Sequence, residues 1–396
     1  MNRLNILIIP PHDLLAHPTP SWLYHIGNIL ANRHNVSLLS YPGHPLAHQK
    51  PVRSMNSGRV IFNPIRTNNL ALYYLANSAN IWAALSRFFD ERRVDVIINA
   101  NILPSYAALK IGRRYGVRSI FDYHDHIPEG AAAYFTNPFL SGIVQRVVFD
   151  VVRRNIMMSD YVATNSRTLK DFIQRTVGVR EDRIRAIPNG VNTNLFYPSS
   201  KEKARKALGL EGHDFVLLYC GSMDAWVDLE LLIRLVDYLR TSYGRVLLLM
   251  VGLSHNSSVQ ASLEQLIQKH KLHENVMLIP PQPHERVPEF VNAADAVIAP
   301  YKNVLKNYVV PLKILESLAC ARPVITANIR EYKAWFGGMP VIYYNTEEEL
   351  RRETIGLIKS YEDWKTELLR TSQQIRSRFS WEESAAQYEE VLKGFS

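Results

Sequence analysis

The sequence predicts an α/β protein that contains two doubly wound, Rossmann-like domains in tandem. Its 396 residues are too many for one compact core and suit two domains of similar size. In both halves, short β-branched apolar runs alternate with longer runs of helical periodicity, which is typical of parallel sheets covered on both faces. Hydrophobic residues make up 47% and charged residues 21% of the chain, a composition that excludes the disordered and fibrous classes.

The elements alternate in the same way in each half. In the first half, the predicted strands are 4–10, 35–41, 94–100 and 117–124, and the predicted helices lie at 22–31, 70–89, 105–116 and 138–158. In the second half, the predicted strands are 214–221, 245–252, 275–281, 296–301 and 322–328, and the predicted helices are 228–242, 258–271, 284–293 and 311–320. Ligands of open parallel sheets bind outside the carboxyl ends of the strands. Two such sheets that face each other are expected to hold a ligand in the cleft between them.

The segment IPNGVNTNLFYP (187–198) marks the domain boundary. Asn189-Gly190 is a turn dipeptide that accepts positive φ, and Pro188 and Pro198 frame the segment. The sequence therefore predicts a first domain over residues 1–187 and a second over 188–378.

Positive charge is concentrated in the first half. Residues 1–195 carry 22 Lys and Arg against 12 Asp and Glu, whereas residues 196–396 are nearly balanced. Such a surface suits an anionic membrane or a phosphorylated substrate, although exposed helix faces explain the asymmetry equally well. Nucleic acid is the weakest candidate partner, because no interleaved aromatic and basic motif occurs.

The chain shows the features of a cytoplasmic protein. Its two cysteines, Cys220 and Cys320, lie in apolar surroundings and are expected to be buried thiols. It shows no secretory leader and no apolar run of about 20 residues. The arginine-bearing apolar helix at 138–158 suits either an anionic leaflet or the interior of the first domain.

Charged residues with a clear chemical use follow Pro311. Lys313 and Glu316 are three residues apart, so they share a face near the amino end of a predicted helix. That end carries exposed N–H groups that suit a phosphate, and a carboxylate there can accept hydrogen bonds from two sugar hydroxyls. A surface ion pair between Lys313 and Glu316 is the competing interpretation.

Several segments, taken in order, resemble a known enzyme family. The run PLKILESLACARPVI is similar to the donor-site signature of GT-B glycosyltransferases, in particular the retaining family 4. The matching segments, in chain order, are AIPNGVNTNLFYP, YCGSMDAWVDLELLI, NAADAVIAPY, PLKILESLACARPVI and FSWEESAAQYEEVL. They cover nearly all of residues 185–396, whereas the first half resembles the family in layout only.

The resemblance implies roles for particular residues of the second domain. Glu316 would hold the ribose hydroxyls of a nucleotide-sugar donor, and Lys313 would lie near its diphosphate. Gly221 and Ser222 would let the backbone approach the phosphates. Residues Tyr308, Val310, Pro311 and Leu312 complete the implied donor-binding set. Residues 379–396 would form a C-terminal helix that crosses back to the first domain.

The sequence also departs from the family pattern at charged positions. Tyr308 stands where the family often has a second acidic residue. Ser222 and Val227 stand where many members place Arg and Lys on the diphosphate. The phosphate charge must then be met by Lys313, by helix-end N–H groups, or by the remaining basic residues nearby, Lys302 and Lys306.

In the first domain, three residues after the strand at 117–121 can titrate or coordinate. The resemblance assigns a sugar-facing role to His124, and Asp125 can orient that imidazole or accept a proton. His126 completes an H-D-H run, for which a metal site and a purely structural loop remain alternatives. The loop after the first strand supplies the acceptor-side candidates His12, Asp13 and Thr19.

Together these features predict a retaining sugar transfer from a nucleotide-diphosphate sugar to an acceptor hydroxyl. No metal or other cofactor is required, because no D-x-D motif stands at a strand end. The predicted acceptor is lipid-linked or part of a cell-envelope glycan, and the predicted location is cytoplasmic, peripheral on the inner face of the membrane. Two alternatives stay open: a nucleotide-sugar epimerase on the same fold and a non-catalytic nucleotide-sugar-binding protein.

Overall fold

A computed structural model describes residues 3–17, 20–45, 53–124, 128, 137–223, 227–252, 257–302 and 310–395. The contacts divide the chain into two compact units. Unit 1 comprises Met1–Pro188 together with Trp381–Ser396, and unit 2 comprises Asn189–Ser380. The polypeptide therefore passes from one unit to the other twice.

Unit 1 contains a parallel sheet of seven strands among the described residues. The strands are β1 (Asn5–Ile9), β2 (Asn35–Leu39), β3 (Gly58–Val60), β4 (Val96–Asn99), β5 (Arg118–Tyr123), β6 (Tyr161–Thr164) and β7 (Ile184–Ala186). The helices are α1 (Trp22–Leu30), α2 (Leu70–Glu91), α3 (Leu103–Arg114), α4 (Pro138–Met158), α5 (Arg167–Val177) and, from the end of the chain, α14 (Trp381–Lys393). The strand order is β3-β2-β1-β4-β5-β6-β7. Successive strands are therefore added on one side of β1 up to β3 and on the other side from β4 onward, so the strand order reverses between β1 and β4.

Unit 2 repeats this plan with six described parallel strands. The strands are β8 (Phe215–Cys220), β9 (Val246–Val251), β10 (Val276–Ile279), β11 (Ala296–Ala299), β12 (Val324–Ala327) and β13 (Val341–Tyr344). The helices are α6 (Lys201–Leu208), α7 (Leu229–Tyr243), α8 (Ser257–Lys269), α9 (Val287–Ala293), α10 (Leu312–Ala319), α11 (Arg330–Phe336), α12 (Glu347–Ser360) and α13 (Lys365–Arg378). The order β10-β9-β8-β11-β12-β13 places the reversal between β8 and β11.

The two parallel sheets confirm the predicted α/β fold class. All six residues of β9 and all four of β11 are buried, as expected for strands with helices on both faces. At the point where strand order reverses, neighbouring loops leave the sheet in opposite directions and open a crevice at the carboxyl ends. In unit 2 this point brings the end of β8 next to the start of α10.

Helix α14 completes unit 1 through aromatic and polar contacts. The indole of Trp381 stacks on the imidazole of His25 in α1, with ring centroids 4.7 Å apart. His34 Nε2 lies 3.1 Å from Glu389 Oε1, and Ser384 Oγ donates to the Pro188 carbonyl at 2.8 Å. The last helix is therefore part of the core of the unit that begins the chain.

No helix among the described residues combines the length and the apolar composition needed to cross a bilayer.

Candidate functional site

Two glycines shape the carboxyl ends of β8 and β9. Gly221 has φ +141° and Gly252 has φ +147°, values that side-chain-bearing residues rarely adopt. The two backbones lie so close that a Cβ on Gly252 would stand 2.0 Å from the Gly221 carbonyl oxygen. Gly221 N–H donates to the Val251 carbonyl at 2.9 Å, which extends the β8–β9 pairing into the loops.

The ammonium group of Lys313 lies directly above this glycine loop. A Cβ on Gly221 would stand 2.8 Å from Lys313 Nζ, so the absence of a side chain makes room for the cation. The ammonium also lies over the rings of Tyr219 and Tyr301, 4.2 and 5.2 Å from their centroids. Such cation–π contacts hold the charge at the end of β8.

Helix α10 begins beside this cation without a capping side chain. Pro311 is the N-cap residue, in an extended conformation, and its side chain makes no capping hydrogen bond. The sequence predicts a helix from residue 311, and the observed helix begins one residue later, at Leu312. Val310 is buried, and its carbonyl accepts from Asn189 Nδ2 at 3.3 Å. The Ile314 N–H donates to the Pro311 carbonyl at 3.2 Å, and the amino end of the helix, which begins at Leu312, carries the partial positive charge that suits an anion.

Glu316 lies one turn further along α10 and contacts a histidine that the sequence analysis did not single out. His284 Nε2 lies 2.9 Å from Glu316 Oε1, and the two side chains are 20% and 14% exposed. The imidazole in turn packs on the buried ring of Phe196, 5.3 Å between centroids. Glu316 therefore contacts a side chain from a different part of unit 2.

The charges of Lys313 and Glu316 affect the pKa values of neighbouring side chains. Burial raises the pKa of the Cys220 thiol to about 12, with the Lys313 ammonium acting in the opposite direction and the Glu316 carboxylate adding to the rise. Burial, and then Glu316, also raises the pKa of the Tyr301 hydroxyl. The thiol is thus protonated and unreactive at neutral pH. Ser222 is fixed by its carbonyl, which accepts from the Tyr219 hydroxyl.

In unit 1, His124 belongs to a buried cluster at the end of β5. Its imidazole stacks on the Trp22 indole, with centroids 4.2 Å apart and planes 9° from parallel. His124 Nε2 lies 2.8 Å from Asp122 Oδ1, and Trp22 Nε1 donates to Asp122 Oδ2 at 2.7 Å. Burial, followed by the Asp122 carboxylate, raises the pKa of Tyr388 from α14. Among the described residues, neither ring nitrogen of His124 has a hydrogen-bond partner, because the approach of Nε2 to Asp122 Oδ1 is close but lacks hydrogen-bond geometry.

The loop after β1 is held by the carboxylate of Asp13. Its Oδ1 accepts from the backbone N–H groups of Leu15 and Ala16 at 3.1 and 3.0 Å, and its Oδ2 accepts from Tyr41 N–H at 2.9 Å. Asp13 therefore fixes the loop that carries His12. The His12 ring lies 4.0 Å from that of His17, and its Nε2 has no hydrogen-bond partner among the described residues.

Some predicted site residues lie outside the described part of the chain. They are Thr19, Asp125, His126, Lys306 and Tyr308. Within the described ranges, no group of three or more His, Cys, Asp or Glu side chains is arranged to hold a metal ion.

Sequence reasoning did not single out five residues at these two sites. They are Trp22, Asp122, Tyr219, His284 and Tyr301. A usable pattern exists for Asp122, because it stands two residues before His124 on one strand and hence on the same face. Tyr219 lies in β8, Tyr301 follows β11 and His284 begins a 3₁₀ turn, so only the sheet order brings them together.

Comparisons with known proteins agree with this architecture. Residues 21–195 match the model of Glycosyltransferase Family 4, and residues 200–336 match that of Glycosyl transferases group 1. A D-inositol 3-phosphate glycosyltransferase of Acidothermus cellulolyticus is 29% identical over 180 residues, which span 44% of this chain and 39% of that relative. The chain thus spans less than half of that curated relative.

Solved structures share the fold at low sequence identity. Sucrose-phosphate synthase from Thermosynechococcus elongatus gives a TM-score of 0.81 at 17% identity, with 99% of each chain covered. Anabaena Alr3699/HepE in complex with UDP-glucose gives 0.74 at 18% identity, covering 99% of this chain and 100% of that one. These likenesses show that the two units have the GT-B fold.

Proposed function

Because the chain belongs to the GT-B glycosyltransferases that combine a Family 4 domain with a group 1 domain, we propose that it transfers a sugar from a nucleotide-diphosphate donor to an acceptor hydroxyl with retention of anomeric configuration. One observation carries the proposal. The Lys313 ammonium lies at the Gly221 loop, beside the uncapped start of α10 and one turn from Glu316. A cation, the amino end of a helix and a carboxylate in this order match a diphosphate joined to a ribose.

In this mechanism, the protein stabilises the departing diphosphate. Negative charge grows on the phosphate oxygens as the anomeric bond breaks, so Lys313 and the first N–H groups of α10 bind the transition state more strongly than the donor. Residues Val310, Pro311 and Leu312 place those N–H groups, and Gly221 and Ser222 allow the backbone to approach. Glu316 accepts hydrogen bonds from the ribose hydroxyls and orients the donor.

Unit 1 supplies the second part of the proposal. We assign His124 as a hydrogen-bonding group for the transferred sugar, because it lies at the end of β5 beside Asp122 and neither of its ring nitrogens has a hydrogen-bond partner among the described residues. Asp125 keeps its proposed role beside it. The departing phosphate oxygen takes the acceptor proton, so no dedicated base is needed. His12, Asp13 and Thr19 remain the proposed acceptor-side residues, with Asp13 acting by holding the loop.

The donor is proposed to be a nucleoside-diphosphate sugar that needs no metal. Anabaena Alr3699/HepE, which shares the fold, forms a complex with UDP-glucose, and uridine donors are therefore the first to test. Purified protein, treated with EDTA, is incubated with UDP-, GDP- and ADP-sugars, and release of the diphosphate and the anomeric proton signals of the products are followed. Slow hydrolysis of one donor, or transfer with the donor's anomeric configuration, supports the proposal. A new sugar isomer would indicate an epimerase, and binding without turnover would indicate a non-catalytic protein.

A variant of the proposed cation makes this test specific. Lys313→Met removes the charge but keeps the length of the side chain, so donor turnover is expected to fall by at least a hundredfold. Lys333→Met, in α11, is a matched control because its ammonium lies over the Tyr343 ring, 5.4 Å from the centroid, and has no proposed role. Equal turnover in the two variants would contradict the assignment of Lys313.

The acceptor is proposed to be lipid-linked, presented at the inner face of the cell membrane to a cytoplasmic enzyme. Helix α4 supports this because its first half exposes large apolar side chains, and arginines follow. Phe139 is 74% exposed and Val147 is 56% exposed, while Arg146 and Arg153 stand on the same exposed surface. Apolar and cationic groups together suit an anionic leaflet.

Flotation with vesicles tests the membrane proposal. The protein is expected to float with vesicles that contain phosphatidylglycerol at moderate salt, and Phe139→Ser is expected to reduce the bound fraction. Vesicles of phosphatidylcholine alone should bind little. Equal binding to both kinds of vesicle, or none to either, would contradict a charge-assisted membrane contact.

A further inference from the structure

We infer that His284 is a positioning residue for Glu316 and thereby sets the preference of the donor site for ribose over deoxyribose. The inference rests on the proposed donor site and adds a residue to it. His284 Nε2 lies 2.9 Å from Glu316 Oε1, and both side chains are largely buried. The imidazole acts through the carboxylate and has no assigned contact with the donor.

The surroundings of His284 hold its ring in place. His284 begins a 3₁₀ turn, His284–Arg286, after the edge strand β10. The ring packs at a tilt of 52° against Phe196, which is fully buried. Arg286 fastens the turn by donating to Gln282 Oε1 at 3.0 Å and to Glu289 Oε2 at 3.1 Å. The imidazole N–H of His284 therefore approaches the Glu316 carboxylate from a fixed direction.

A fixed carboxylate matters for recognition of a diol. The two ribose hydroxyls donate along defined directions, and a carboxylate accepts both only when its plane is correctly turned. A glutamate side chain that is free to rotate loses conformational entropy when it binds such a pair. The His284 hydrogen bond uses one acceptor position of Oε1 and leaves a second one there, together with both positions of Oε2. The pair thus orients Glu316 without blocking it.

Unit 2 also offers a control for the His284–Glu316 pair. A second histidine–carboxylate contact of similar geometry occurs in unit 2, where His270 Nδ1 lies 2.7 Å from Asp237 Oδ2. That contact joins α7 to the residue after α8 and has no part in the proposed donor site. It provides a matched control for the loss of a partly exposed imidazole.

The experiment measures affinity by titration calorimetry for UDP, GDP and ADP, each with its 2′-deoxy counterpart, and for inorganic pyrophosphate. The wild type is expected to bind its preferred ribonucleotide about tenfold more tightly than the deoxy form. His284→Ala is expected to weaken ribonucleotide binding about tenfold, to remove most of that preference and to leave pyrophosphate affinity unchanged. His284→Gln keeps an N–H donor near the same position and should restore the preference, whereas His270→Ala should change neither value.

The outcomes separate this inference from the donor site on which it depends. Glu316→Gln abolishes the ribose preference if the donor site is correct. If Glu316→Gln does so while His284→Ala keeps it, the positioning role is overturned and the donor site stands. If Glu316→Gln leaves nucleotide binding unchanged, both are overturned. Thermal unfolding of each variant shows that the compared proteins are folded.

Discussion

The close approach of the β8 and β9 loops makes Gly252→Ala a demanding test of the donor-site geometry. The new methyl would start 2.0 Å from the Gly221 carbonyl oxygen, a backbone atom that cannot rotate away. The loops must separate by about 1 Å to relieve this overlap. Separation weakens the hydrogen bond from Gly221 N–H to Val251, now 2.9 Å. It also moves Gly221 away from Lys313.

The cost can be estimated from these terms. A non-glycine residue at φ +147° costs about 1–3 kcal/mol, and a lost backbone hydrogen bond costs about 0.5–1.5 kcal/mol. We expect Gly252→Ala to lower the free energy of unfolding by about 1.5–4.5 kcal/mol. Urea unfolding at pH 7 measures this, and calorimetry with the preferred nucleoside diphosphate should show at least a tenfold loss of affinity.

Gly209→Ala is the matched control, since it isolates the conformational part of this cost. Gly209 ends α6 with φ +68° and has open space where a Cβ would lie. Its alanine variant should lose only about 1 kcal/mol and keep nucleotide affinity. If Gly252→Ala is no more harmful than Gly209→Ala, the two loops are not in contact as described and the reasoning fails.

Three further perturbations follow from described contacts. Ala321→Gly should raise the free energy of unfolding by about 1 kcal/mol in urea, because Ala321 follows α10 at φ +54°, and an unchanged value would contradict a strained helix end. Trp22→Phe keeps an aromatic ring at His124 but removes the N–H donated to Asp122, so urea unfolding should show a loss of about 1–3 kcal/mol; no loss would mean that water replaces the indole. Burial, followed by the neighbouring His17, lowers the pKa of His44 to about 4, below the ordinary value of 6.5. Only the unfolded chain then gains a proton as pH falls below about 6.5, so roughly 3 kcal/mol of stability present at pH 7 is lost by pH 4, and His44→Asn should reduce that slope in urea titrations across pH.

The sequence was sufficient for the fold class because each central strand is a continuous apolar run. Strands such as β1 and β9 are buried on both faces, and no surface helix produces that pattern. Four shorter strands were not predicted: β3, β6, β7 and β13. They contain three or four residues each, so their apolar content is too small to stand out from neighbouring loops. These strands form because they pair in parallel with the neighbouring strands of their sheets.

The site was predictable where residues are neighbours in the chain. Lys313 and Glu316 share one helix, and their position at its amino end follows from Pro311. Contacts that cross elements were not predictable, since Tyr219 in β8 and His284 after β10 reach α10 only because the strand order places them beside it. The side chain that orients Glu316 therefore required three-dimensional information.

Because α14 belongs to unit 1, this unit depends on residues that are synthesised after the whole of unit 2. Its Trp381, Tyr388 and Glu389 contact residues of the first unit, yet all of Asn189–Ser380 must be synthesised before they appear. The surface of the amino-terminal unit that α14 covers is therefore still exposed when all the described strands of unit 2 have been synthesised. Translation thus completes the second unit before the first.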